Sequence, residues 1–125
     1  MNTNTSSGLQ TTNAQLSGIG RKKYDRNQVI FREHENGDMA YIVADGQVQI
    51  VKESDNGPRV LGVLKRGAMF GEMALIDDKP RMASAKAING PVELLIVSKA
   101  NFQKKMQELD PFTRGLIKFM AEIVR

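Results

Sequence analysis

Between Tyr24 and Val97, short runs of Val, Ile, Leu and Tyr alternate with turn residues, the pattern of an antiparallel β-domain built from many short strands. Val29-Ile30-Phe31 is the first run and Ala40 to Val43 the next. Asp45-Gly46 then reads as a hairpin signal feeding Gln47-Val48-Gln49-Ile50-Val51. Val48 and Ile50 alternate there with two glutamines, so one face of that strand is core and the other wet. Asp55-Asn56-Gly57-Pro58 makes the following turn, Arg59 to Leu64 a strand, and Lys65-Arg66-Gly67 a reversal. Met82 to Ala87 and Val92 to Val97 complete the sheet as two strands around Asn89-Gly90-Pro91.

Two helices follow. Ser98 is placed as the N-cap of one running to about Leu109, and Asp110-Pro111 starts the second with an acidic cap and a proline at the first helical position. Phe112, Leu116, Phe119 or Met120, and Ile123 recur in it at helical spacing. That stripe is expected to pack on the β-domain or, in part, to move or dimerise. Residues 1–20 are dominated by Asn, Thr, Ser, Gln and Gly, bury too little to offset ordering, and are expected to form a disordered tail.

At 125 residues the rest forms one domain, residues 21–125, large enough to bury a core without metal or disulfide staples. There is no cysteine, and His34 is the only histidine, which argues against disulfides, thiolate sites and the usual multi-histidine catalytic metal centre. Lys and Arg number 18 against 14 Asp and Glu, a net +4 that helps an anionic partner approach. The densest basic run, Arg21-Lys22-Lys23, is short for a nucleic-acid interface and reads as a solvated linker. No apolar stretch nears the roughly 18 residues of a membrane span, and the first residues lack the basic and apolar regions of an export signal. A cytoplasmic location is expected.

The densest chemistry lies in Ala68-Met69-Phe70-Gly71-Glu72-Met73-Ala74-Leu75-Ile76-Asp77-Asp78-Lys79-Pro80-Arg81-Met82-Ala83-Ser84-Ala85. Phe-Gly-Glu, then Ala-Leu, then Pro-Arg resemble the phosphate-binding cassette of cyclic-nucleotide-binding domains, the family of protein kinase A regulatory subunits and the catabolite activator protein. The resemblance extends from about Tyr24 to Arg125, through Gly37-Asp38-Met39-Ala40-Tyr41 and both terminal helices. It implies a mainly β fold with helices (α+β): an antiparallel, jelly-roll-like β-roll over about 24–97, a short cassette helix, and two C-terminal helices over about 98–125. It also implies a non-catalytic sensor without cofactor. Its ligand is a cyclic nucleotide bound through Phe70, Gly71, Glu72, Met73, Ala74, Arg81, Met82 and Ala83. An effector domain or protein would read the C-terminal helices, and a homodimer could form through the last helix.

Elementary chemistry supports the same residues. A cyclic phosphodiester is a compact monoanion, and a helix beginning near Gly71 would offer it unpaired amides and a positive dipole end. Gly71 allows close approach of the backbone, and small Ala74 does not block it. Arg81 adds a permanent charge and a planar donor fork, aimed by Pro80, which fixes its own φ and biases Lys79 towards extended geometry. Glu72 is repulsive beside a phosphate unless it accepts a hydrogen bond from the ribose 2′-hydroxyl, the role the family assigns its glutamate. The competing reading is a Glu72–Arg81 ion pair inside an empty barrel.

In relatives, a Thr or Ser directly after the cassette arginine helps recognise guanine. Met82 stands there and cannot donate, which favours cAMP over cGMP. The resemblance also places base contacts in the last helix, near Met120 to Val124. The bulk of Met82 supports an alternative, a degenerate member of the fold serving as a protein-interaction module without nucleotide. An enzyme of the cupin type would need histidine ligands that this chain lacks. Asn27 and His34 stand where relatives commonly have glycine, and both residue types are enriched at positive φ. Met39, Met69, Met73, Met106 and Met120 read as gap-filling core.

Overall fold

The computed structural model describes residues 20–124, so the tail expected over 1–20 lies outside the described residues except for Gly20. Its elements are β1 (Gly20–Tyr24), β2 (Val29–Phe31), β3 (Met39–Ser54), β4 (Gly57–Leu64), β5 (Met69–Phe70), α1 (Met73–Asp77), β6 (Ser84–Ser98), α2 (Lys99–Gln107) and α3 (Pro111–Val124). The long strands β3 and β6 pair antiparallel from Met39↔Ser98 to Val51↔Ser84. Each then takes two further partners along its length. β6 pairs with β2 near Ala85 and with β1 near Leu94, while β3 pairs with β5 at Tyr41 and with β4 beyond Val48.

Two expected turns are instead bends inside these strands. Asp45-Gly46 does not close a hairpin, and Asn89-Gly90-Pro91 does not separate two strands; the register shifts between Val43 and Gln47 while pairing continues on both sides. Gly46 sits at φ 91°, and a Cβ there would lie 2.6 Å from the Pro91 carbonyl oxygen. Glycine is required here because two backbones approach closely. The bends also reverse parity: Tyr41 and Val43 enter the main core before the bulge, Val48 and Ile50 after it. On β6 the change is from Ala85 and Ala87 to Val92 and Leu94. An inserted residue keeps the apolar set facing inward while the strand turns, which curls the sheet into the expected roll.

The core centres on Leu94, Val43, Val48 and Val92, with Tyr24, Tyr41 and Phe70. Arg21-Lys22-Lys23 is not a linker but the middle of β1, paired with Glu93 to Leu95. Its charges stay outside, with Arg21 ion-paired to Glu93 at 3.2 Å and Lys22 over the Tyr24 ring. Among the described residues the roll includes β1 from Gly20. Asn27 and His34 adopt φ of 70° and 75°, as expected for replacements of glycine.

Both helix starts follow their cap chemistry. Ser98 Oγ accepts from Asn101 N–H at 3.1 Å, and the Asp110 carboxylate accepts from Thr113 N–H at 3.2 Å with Pro111 opening α3. A second apolar cluster of Ala40, Leu75 and Val97, with Ile42 and Phe102 packed against it, holds α1 and α2 on the sheet. Lys99 at the start of α2 is ion-paired with Asp78 at the end of α1. The stripe on α3 does not pack on the β-domain: Phe112 is 76% exposed and Ile123 68%. The helix instead buries Ala121. Met69 and Met120 are exposed too, not core. Among the described residues, no helix is long and apolar enough to cross a membrane.

Candidate functional site

β5 delivers Phe70 to the core, and the chain then turns at Gly71 with φ 80°. A Cβ at Gly71 would meet Arg81 Nη1 at 2.8 Å, so both conformation and space demand glycine. Glu72 takes the N-cap position of α1 without using its side chain as a cap. The helix begins at Met73, with its N-cap directly after Gly71, and has five residues, too few peptide dipoles to sum to a large terminal charge. Electrostatic attraction at this site therefore falls mainly to Arg81.

Among the described residues, Arg81 is the one charged residue in the buried set, 5% exposed. Its backbone is clasped by the loop between β2 and β3: Arg81 N–H donates to the Glu35 carbonyl and His34 N–H to the Arg81 carbonyl, each at 2.8 Å. Its Nη1 donates to the Gly71 carbonyl and its Nη2 to the Met39 carbonyl, both at 2.6 Å. The Phe31 ring lies against the guanidinium, 4.1 Å from Cζ to the ring centroid, within a tilted and stacked set with Tyr41 and Phe70. Nε is buried without an acceptor. Among the described residues no carboxylate lies within ion-pair distance, and the Glu72–Arg81 pair is not formed. Desolvation pulls the Arg81 pKa down, opposed by the neighbouring Tyr41, Asp38, Glu35 and Glu72. Its direct partners are two neutral carbonyls and a ring, so this buried cation lacks a contacting counter-charge.

A cavity of about 170 Å³ opens against it. All eight residues singled out from the sequence line this cavity: Phe70, Gly71, Glu72, Met73, Ala74, Arg81, Met82 and Ala83. Phe31, Ile50 and Met69 also line it, and the Met39 carbonyl holds Arg81; these four the sequence reading missed. Residues 21–109 match the family model described as "Cyclic nucleotide-binding domain". The chain belongs to the cyclic nucleotide-binding domain family.

Relatives carry this domain within longer proteins. The chain is 31% identical to cGMP-dependent protein kinase 2 of Mus musculus over 82% of its own length and 14% of the kinase. It is 32% identical to the Cyclic AMP receptor protein of Thermus thermophilus, covering 88% of this chain and 51% of that protein. Among solved structures, the cAMP-bound form of the EAL enzyme Bd1971 superposes with a TM-score of 0.79 at 33% identity, covering 84% of this chain and 28% of that one. A cGMP-bound form of the same enzyme superposes equally well.

Two further features of the cyclic nucleotide-binding domain frame its cassette. Glu33 accepts from Glu53 N–H at 3.0 Å and from Lys52 Nζ at 3.1 Å, and the same ammonium donates to the Met82 carbonyl at 2.9 Å. These bonds hold the Glu33 carboxyl below its usual range, the Glu53 amide being the largest cause, and they brace the strand leaving Arg81. Next to the Arg81 cavity, α1 faces α3 across a groove lined by Glu72, Met73, Ile76, Ile117, Met120 and Ala121, the first two shared with that cavity. Met120, expected near the base, lies in this groove and outside the lining of the Arg81 cavity.

Proposed function

We propose that this domain is a non-catalytic cytoplasmic sensor that binds a cyclic nucleotide, cAMP in preference to cGMP, between residues 70–74 and 81–83. The observation that carries the proposal is Arg81: a buried guanidinium with an unpartnered Nε–H and, among the described residues, no carboxylate within ion-pair distance. A cyclic phosphate supplies the missing negative charge and acceptor oxygens. The Glu72 carboxylate has no hydrogen-bond or ion-pair partner among the described residues and is available to the ribose 2′-hydroxyl. Small-molecule sites usually measure about 300–1,000 Å³, so this smaller cavity takes the phosphate and ribose and leaves the base at its mouth beside Met82. The relatives named for cAMP and for cGMP support the ligand class without dividing the two.

Selectivity rests on Met82, which lines the cavity directly after Arg81 and has no donor for the guanine edge. Met82→Thr is expected to raise the cGMP-to-cAMP affinity ratio by roughly two- to tenfold, the worth of one neutral hydrogen bond. Competition binding of both nucleotides to parent and variant measures it. An unchanged ratio in the folded variant counts against the contact at residue 82, and a parent that prefers cGMP counts against the choice of cAMP.

Occupancy passes from α1 to α3 through their shared groove and onward to an effector domain or protein. The exposed residues Phe112, Leu116, Phe119 and Ile123 repeat at the spacing of a two-stranded coiled-coil seam, which we assign to a second copy of the chain. Sedimentation should therefore detect a dimer; a monomer at every concentration rules that assignment out.

A further inference from the structure

The loop that clasps the Arg81 backbone also shapes the seat of its guanidinium. Gly37 closes this loop just before β3, and its Cα is packed against the Arg81 side chain. A Cβ built on Gly37 would fall on Cζ, Nε and Nη2 of Arg81, well inside the 3.0 Å limit that real Cβ atoms respect. No other residue is among the nearest atoms to that Cβ, and the Gly37 φ is not in the left-handed range. The φ of Gly37 therefore does not by itself demand glycine. What an alanine there cannot share space with is the guanidinium, the movable end of a long side chain.

We infer that Gly37 is a positioning residue, whose missing side chain lets Arg81 lie flat between the loop and the Phe31 ring with its donors on Gly71 and Met39. The inference rests on the reading of Arg81 as the phosphate anchor, and it adds a residue that need not touch the ligand. Most glycine-to-alanine changes at strained sites act by destabilising the fold. Here the steric conflict can be relieved by moving one side chain, and, with φ outside the left-handed range, alanine gains from the smaller entropy of the unfolded chain. Stability and affinity are expected to part company: displacing the guanidinium from its two carbonyls misaligns the remaining Nε–H while the β-roll persists.

The test uses the full chain and Gly37→Ala, with two readouts. In the nucleotide-free protein, the Arg81 Nε–H proton signal, assigned by its loss in Arg81→Lys, should be protected from solvent exchange in the parent and exchange rapidly in Gly37→Ala. The variant should remain folded, with a cooperative transition close to the parent melting temperature. Titrated with cAMP, it should bind at least about tenfold more weakly, a change of roughly 1.4 kcal/mol. A still-protected Nε–H, an affinity within threefold of the parent, or a melting temperature well below it would each overturn the inference. A parent that fails to bind cAMP overturns the reading of the site instead, while the exchange result still decides whether Gly37 seats Arg81.

Discussion

Arg81→Ala is expected to weaken cAMP binding by about 2 to 5 kcal/mol, roughly thirtyfold to several-thousandfold. The size follows from what the truncation leaves behind. In the parent, the phosphate enters beside a cation that is 5% exposed and has no carboxylate partner; in the variant the same phosphate is desolvated against Phe31, Ile50 and the cassette backbone with nothing to balance it. Glu72, half-buried in the lining, then becomes an uncompensated like charge. Arg81→Lys should recover part of the loss, because charge returns but the planar fork does not. Titration of parent and both variants with cAMP measures these differences, and circular dichroism shows whether the roll is intact. An alanine variant within threefold of the parent removes Arg81 from the role of anchor.

Leu94→Ala should cost about 2 to 5 kcal/mol of folding stability, the range for deleting a large aliphatic side chain from a core that can only partly close. Leu94 is fully buried and lies on β6, opposite Lys22 of β1 on one side and Val43 of β3 on the other. Those strands are fixed by their own ladders, so the walls of the cavity cannot collapse inward easily. Chemical denaturation at equilibrium is the check. A loss under about 1 kcal/mol would mean that the site relaxes and that the β1–β6–β3 centre is not the rigid frame described here.

How much of this was readable beforehand depended on the range of the forces involved. Ser98 and Asp110 act on amides three residues away, so their capping roles are visible in local sequence. Residues 70–74 and 81–83 form compact segments of the lining, and a motif can report them. Asp45-Gly46 is different: the same dipeptide suits a hairpin apex or a bulge, and the choice was made by Pro91 and Val92 across the ladder. Phe31, Ile50 and the Met39 carbonyl reach the site from β2 and β3, and a carbonyl acceptor leaves no trace in residue type. Gly37 likewise became meaningful only once Arg81 was seen against it. The α3 periodicity correctly announced an apolar face but carried no information about what covers it, and Phe112 to Ile123 proved to face outward.

Titration calorimetry of cAMP into the full chain bears on all of this at its root. A buried guanidinium with a free Nε–H beside an open cavity predicts saturable binding of one cyclic nucleotide per chain, together with a rise in melting temperature as free cAMP increases. Absence of saturable binding, with no shift in melting temperature at any cAMP concentration, would contradict the account and leave the Arg81 cavity without its proposed occupant.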